Sequence, residues 1–395
     1  MIDDAKSYFA RGRERYDIIV SEPSNPWVSG VASLFTEEFY ARLATYMNDG
    51  GVLSQWLHTY DMDSQTLASI LAALSKTFPE FTIYSTIDTD IVVIARKGGP
   101  AGPFQPDVLA MPGARALLDR LKLSDPETIP RRAVGRWTTL GPYFRGSYGM
   151  PANSDFHPIV EHRASKTRFT RDRASDLVEL LAAPIPMLEM LDHGIAPPAG
   201  RRDVARVNVA EVSGASAWAA HDIVMQAGSA SSSMLAETHE IAAHMVRVWT
   251  TQCATELTFR QAFPQMFAVA ELVNPHLHPS VVTPLWRRIA ESRCAAALEA
   301  SERRWIELFS AVGARDAQRM ADIGSRILSD AGAARGPESE YAFMAAVTGA
   351  LAMDDVALAR RLLQEGTQKW LRPGVRRAEL AYLFNLARAR AVAAR

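Results

Sequence analysis

The chain has 395 residues, 48% of them hydrophobic and 22% charged, with a formal net charge of −1. That length and apolar content suit two or three domains with cores of their own and exclude a chain that is disordered throughout, while the near-zero balance leaves no electrostatic footprint for nucleic acid or an anionic membrane. No window approaches eighteen uninterrupted apolar residues, and the first positions, with Asp3, Asp4, Lys6 and Arg11, lack the apolar stretch of a signal peptide, so a cytoplasmic protein is expected.

In chain order, residues 1–97 read as alternating strand and helix: a helix near 6–13, a strand at 16–20, a helix at 36–48, a strand at 51–56, a helix at 63–77, and strands near 81–85 and 90–96. Such alternation predicts a largely parallel sheet. Gly50 and Gly51 are expected to cap the second helix, and Asp63 to open the third. The run KGGPAGP at 97–103 marks a boundary, because three glycines and two prolines extend no regular element. Residues 98–171 read as a connector of short helices, such as one over 108–123, and loops, with GPYFRGSYGMP (141–151) as loop. From 172 to 395 the pattern is helical. Segments 314–328 and 354–364 look alike at a spacing of about forty residues, which resembles tetratricopeptide-type hairpins; ordinary helical packing explains the same pattern. Cys253 and Cys294, 41 positions apart with no partner motif, read as reduced thiols. No metal site is expected. In His239-to-His244 the histidines are five apart where one helical face needs four, and His276 and His278 sit in a predicted loop without further ligands.

The run YDIIVSEPSNPW (16–27) carries the most chemistry. Tyr16–Val20 is a β-branched strand, and Pro23 and Pro26 end it in a loop. A loop at the carboxyl end of a strand in an α/β sheet borders the usual ligand crevice, so Glu22, Ser24 and Asn25 are candidates to project into one.

This run, with IDDAKSYF (2–9), ASLFTEEFY (32–40) and GGVLSQW (50–56), resembles the polyamine aminopropyltransferases, spermidine synthase and its relatives. The match is most specific to a bacterial branch that carries the E-P-S-N-P-W loop on a spermidine-synthase-like domain behind a membrane-spanning segment, so full-length relatives are membrane-linked. The resemblance covers residues 1–97 and, more weakly, NSDFHPIVE (153–161). It implies an α/β fold: the carboxyl half of a methyltransferase-like, Rossmann-type sheet, ending in an antiparallel edge hairpin and followed by the helical domain. The family's glycine-rich turn and ribose-binding acid have no counterpart here, which is read as a truncated reading frame or as a half-domain completed by a separate polypeptide.

The implied reaction is aminopropyl transfer from decarboxylated S-adenosylmethionine, as co-substrate, to a di- or polyamine, impaired or dependent on the absent half. No tightly bound cofactor is implied. Glu22 falls on the family's catalytic aspartate, one methylene (about 1.5 Å) longer, and Asn25 on a second aspartate that holds the diamine, so a negative charge is lost. Ser24 lies between them, and Gln55 falls on a glutamine near the amine; a solvated strand-end side chain is the alternative for Gln55. Asp4 and Ala5 fall on the segment that reads the adenine edge, and Asp4 reads equally as a helix cap. Phe35 and Tyr40 are expected in the core. Asp88 and Asp90 are expected in a tight turn, with substitution for a substrate carboxylate as the alternative. The expected partners are a small-molecule amine and a nucleoside, with no nucleic acid, and a second copy or a polypeptide supplying the other half-domain. Two other readings stay open: a non-catalytic helical interaction protein carrying a remnant of the catalytic domain, and a methyltransferase using S-adenosylmethionine itself.

Overall fold

A computed structural model describes residues 7–8, 11, 14–28, 30–192, 194–201, 207–225, 236–251, 259–330, 335–372 and 377–393. Two compact units divide the chain, one formed by residues 1–120 and 124–179, the other by 180–395 with 121–123.

The first unit is built on a five-stranded sheet of β1 (Tyr16–Ser21), β2 (Met47–His58), β3 (Phe81–Ile87), β4 (Asp90–Arg96) and β5 (Ala133–Arg136), in the order β1-β2-β4-β3-β5. The sheet is mixed: β1 and β2 pair parallel, β3 and β4 form the expected antiparallel hairpin with β4 antiparallel to β2 as well, and β5, from a segment read as connector, runs antiparallel to β3. The hairpin follows from its connection: Asp88 and Thr89 alone join β3 to β4, and a two-residue turn can only reverse the chain. β4 then takes the place beside β2, which puts β3 one strand further out.

The helices follow their capping signals. In α1 (Glu37–Thr45) the Thr36 side chain accepts from the Phe39 amide, and in α2 (Ser64–Thr77) Asp63 accepts from Thr66 at 2.8 Å. The apolar stripe Leu67, Ile70, Leu71 and Leu74 of α2 is fully buried. Gly50 is not the cap of α1, which closes at Tyr46. It lies inside β2 at φ 78°, where the β1 register shifts.

Residues 98–171 differ most from expectation. They supply β5, then α3 (Trp137–Tyr148) and α4 (Ile159–Thr170). GPYFRGSYGMP is mostly helix despite Gly141 and Pro142, because Trp137 stacks on Phe81 (5.0 Å between centroids) and Tyr143 and Tyr148 both donate to the buried Asp176 carboxylate.

One face of the sheet, with Ile19, Leu53, Leu57, Ile83, Ile91 and Val93, is buried. There α1 packs on β2 and α3 on β3 and β5, with α2 touching both helices. On the opposite face Trp56, Tyr84, Val92 and Ile94 are only half-buried, and Ile18 and Val20 of β1 are 67% and 69% exposed.

The second unit is helical: α5 (Val209–Met225), α6 (Ala236–Thr251), α7 (Phe259–His276), α8 (Pro279–Ala290), α9 (Ala300–Ala314), α10 (Ala317–Ser329), α11 (Pro337–Ala352), α12 (Val356–Lys369) and α13 (Ala378–Ala393), with shorter turns between them. α9 joins α10 through Arg315 (φ 57°) and the N-cap Asp316; α11 joins α12 through Asp354 (φ 56°) and the N-cap Asp355. The two pairs share this turn. At Gly349 a Cβ would lie 2.4 Å from the Ala317 carbonyl, so only glycine permits that approach of α11 to α10. Arg377 pairs with the buried Glu340 and with Glu379. Cys294 is disulfide-bonded, which corrects the expectation of a reduced thiol there. Cys253 and the GSASSSM run (228–234) lie outside the described residues. No helix among the described residues is long and apolar enough to cross a membrane.

Candidate functional site

The two parallel strands, β1 and β2, end side by side. Ser21 is in register with Gln55, so the Glu22 loop leaves β1 next to the last turnings of β2. Pro26 is buried and anchors the loop, a tight turn is closed by the Val28 amide on the Asn25 carbonyl (2.9 Å), and Gly30 at φ 82° redirects the chain into the 3-10 turn Val31–Phe35. Glu22 and Ser24 stand exposed on this loop and Asn25 is half-buried.

Gln55 is not a solvated strand-end residue. It is fully buried on the helix-covered face, where its Nε2 donates to the carbonyls of Trp56 (2.9 Å) and Ser21 (3.3 Å), tying β2 to the start of the Glu22 loop. Its Oε1 has no partner among the described residues. Asp4 and Ala5 lie outside the described residues. Phe35 and Tyr40 are core, and burial pushes the Tyr40 hydroxyl upward in pKa. Asp88 and Thr89 form the β3–β4 turn, while Asp90 opens β4 opposite His58. Desolvation raises the Asp90 carboxyl against hydrogen bonds from Trp56 and Thr89, and its buried Oδ1 has no partner among the described residues.

The segment 153–161 is brought to the same region by its backbone-mimicking side chain. Asn153, fully buried, donates to the Phe35 carbonyl (3.0 Å) and accepts from the Val160 amide (3.1 Å). Ser154 and the Asp155 amide both hold the Glu38 carboxylate. This fixes the 3-10 turn and α1 behind the loop.

A cluster that the sequence reading gave no role closes the end of β2. The imidazole of His58 is 2% exposed and lies 4.7 Å from the ring of Tyr60, 5.3 Å from Trp27 and 5.7 Å from Trp56. Burial lowers its pKa to about 4, partly opposed by Asp61, so the ring is neutral at neutral pH. Its Nε2 has no partner among the described residues. Over Trp27 sits the Arg168 guanidinium, with Cζ 5.0 Å from the ring centroid. Arg168 is held there because α4 is tied to the chain after β2: Thr167 Oγ1 donates to the Asp61 carbonyl (2.9 Å), the Met62 amide to Asp172 (3.2 Å) and the Ala174 amide to Thr59 (2.9 Å). The signal was present in Trp56-Leu-His-Thr-Tyr60, where strand periodicity puts Trp56 and His58 on one face. What the sequence did not give is the return of Trp27 onto that face.

Among the described residues no group of three or more His, Cys, Asp or Glu side chains is placed to hold a metal ion. His278, read as loop, is the N-cap of α8 and accepts from the Ser280 amide. The site therefore offers an exposed carboxylate on a proline-braced loop, a buried amide beside it, and an aromatic cluster carrying a cation. Compared with protein families, curated proteins and solved structures, the chain matches none.

Proposed function

We propose that the first unit is a spermidine-synthase-like aminopropyltransferase domain, transferring a propylamine group from decarboxylated S-adenosylmethionine to an amine. The observation that carries the reading is the Glu22-Pro-Ser-Asn-Pro-Trp27 loop at the carboxyl end of β1, beside Gln55 of the parallel β2. The strand order gives further support: a final hairpin whose second strand, β4, slots in antiparallel beside β2 is what the carboxyl half of a methyltransferase-like sheet requires.

In this reading Asn25 and Ser24 orient the amine, and Glu22 takes the proton that the nitrogen sheds as its C–N bond forms. The C–S bond breaks, and its electron pair returns to sulfur as methylthioadenosine leaves. Positioning and proton removal are all the protein must supply, since the sulfonium already carries the leaving group's charge. The nucleoside half of such a site would lie past the outer edge of β1, which pairs with no strand among the described residues.

The test is titration of the chain with methylthioadenosine and with decarboxylated S-adenosylmethionine, followed by a product assay in wild type and Glu22→Gln. Saturable binding, with turnover lost in Glu22→Gln at unchanged melting temperature, is expected. Turnover that survives Glu22→Gln, or a folded chain that binds neither nucleoside, overturns the reading. Consumption of S-adenosylmethionine itself would point to a methyltransferase instead. The exposed Ile18 and Val20 on β1 favour a second reading, a non-catalytic protein that docks a partner along this edge, and it requires Glu22→Gln to change nothing.

A further inference from the structure

We propose that the face of Trp27 is a seat for a primary alkylammonium ion, and that Arg168 fills this seat in the free protein and is displaced when the ion binds. The inference rests on the reading above only for the identity of the natural ligand; the seat itself is argued from side chains to which that reading gives no role.

Three observations meet at one place. A cation already sits there: the Arg168 guanidinium lies over the Trp27 ring at 5.0 Å, although Arg168 is an exposed residue with solvent open to it. An indole face is the strongest cation-binding ring among the side chains, so a stand-in on Trp27 marks the attractive surface. The ring does not stand alone, because Trp27, Trp56 and Tyr60 surround one imidazole at 4.7 to 5.7 Å. And that imidazole, His58, is 2% exposed, with no partner for its Nε2 among the described residues. A buried polar nitrogen without a partner costs free energy that a ligand can recover. With Nδ1 carrying the proton, Nε2 is an acceptor, and it accepts from an N–H that a primary ammonium has and a quaternary one lacks.

Access follows from the chain. Nε2 is closed off from solvent, and Trp27, one of the rings packed on the imidazole, belongs to the loop between β1 and the 3-10 turn, outside any regular element. Movement of that ring, together with loss of its contact to Arg168, opens the imidazole to the incoming ammonium. Arg168 thereby sets a threshold: a weak cation does not displace it, while one that also bonds to His58 does.

The experiment is titration of the full chain with propylammonium and, separately, tetramethylammonium, followed by tryptophan fluorescence, with Trp27→Leu as the site control. Propylammonium is expected to give a saturable change that Trp27→Leu abolishes, and to bind more tightly than tetramethylammonium. Arg168→Ala removes the competitor and tightens propylammonium by about two- to five-fold, the worth of an exposed cation–π contact. His58→Phe abolishes the preference for propylammonium, and His58→Gln, which restores an acceptor, recovers part of it. Should His58→Phe fail to fold by circular dichroism, Arg168→Ala at its exposed position decides the matter. No saturable response from a folded chain, or unchanged or weaker binding in Arg168→Ala, overturns the seat. Saturable propylammonium binding without any aminopropyl transfer leaves the seat standing and ends the transfer reading; transfer with the amine KM unmoved by Arg168→Ala does the reverse.

Discussion

In the helical unit the deepest polar side chains are closed on one another. Asn274, fully buried, donates to the Phe309 carbonyl and to Tyr341, and accepts from the Trp286 indole at 2.7 Å. Glu340 is held by both nitrogens of a bidentate Arg372 and by Arg377, and Arg315 grips Glu189 together with the carbonyls at the end of α7. The oxygens without a partner among the described residues there, on Gln265, Ser325 and Thr348, are scattered over three helices. The α/β unit has scattered cases too, at Tyr40 Oη and Thr128 Oγ1, but three more, Gln55 Oε1, His58 Nε2 and Asp90 Oδ1, stand without a partner among the described residues within a few residues of one strand end, the last two in register across β2 and β4. A buried polar atom without a partner is costly, so scattered cases read as tolerated packing defects, whereas a concentration at the mouth of parallel strands reads as a place where something else is meant to bind.

The largest test of this contrast is deletion of a tryptophan in each unit. Trp286 is fully buried and braces Asn274, so Trp286→Ala should cost the helical unit about 4 kcal/mol, cavity and orphaned amide together. Trp27 is half-buried on a loop, and Trp27→Ala should cost about 1 kcal/mol. Urea unfolding of both variants measures this, and equal losses would mean that the loop ring is as much part of a core as Trp286.

Acid sharpens the comparison next. His58 has its pKa lowered from 6.5 to about 4 by burial, so between those values the unfolded chain binds a proton that the folded unit refuses. Its contribution is therefore complete above pH 6.5 and is lost as pH falls from 6.5 toward 4, an effect on the order of 3 kcal/mol. His276, in the helical unit, is lowered to about 4 for the same reason and titrates in the same window. The measurement is thus a difference: stability against pH in wild type and in His58→Gln. The slope between pH 6.5 and 4 should shrink in the variant, and an unchanged slope would mean that His58 is solvated.

Much of the first unit was legible because its elements obey local rules. The strand before two prolines, the Asp63 cap and the buried stripe of α2 needed only periodicity and capping chemistry. What failed needed contacts distant in sequence. α3 contains Gly141 and Pro142 and has no helix propensity to speak of; it is helical because Trp137, Tyr143 and Tyr148 find Phe81 and Asp176. The antiparallel β3–β4 hairpin was expected, but β5 was not, because Ala133–Arg136 is too short to show a strand pattern and is a strand only through its pairing with β3. At the site, pattern put Glu22 and Gln55 at strand ends, and only the family resemblance suggested that they belong together; the β1–β2 register sets them side by side. Trp27 and His58 were not linked, since nothing short of the β1–β2 register and the turn after Pro26 brings a residue of the first loop onto the second strand.

The smallest expected effect tests β1 itself. Ile18 and Ile19 are neighbours in one strand, 67% and 9% exposed, because alternate residues of a strand face opposite sides of the sheet. Ile19→Ala should cost about 2 kcal/mol, whereas Ile18→Ala should change stability by less than about 0.5 kcal/mol. The pair is compared by urea midpoint at several protein concentrations. If Ile18→Ala costs as much as Ile19→Ala, and does so only at high concentration, the outer row of β1 is covered in solution by a second copy, and the edge strand is an interface. If the two costs are equal at every concentration, the covering comes from within the chain. A near-neutral Ile18→Ala leaves two apolar side chains standing in water on the strand that leads into the Glu22 loop, which is the arrangement that a further strand or helix from a partner would relieve.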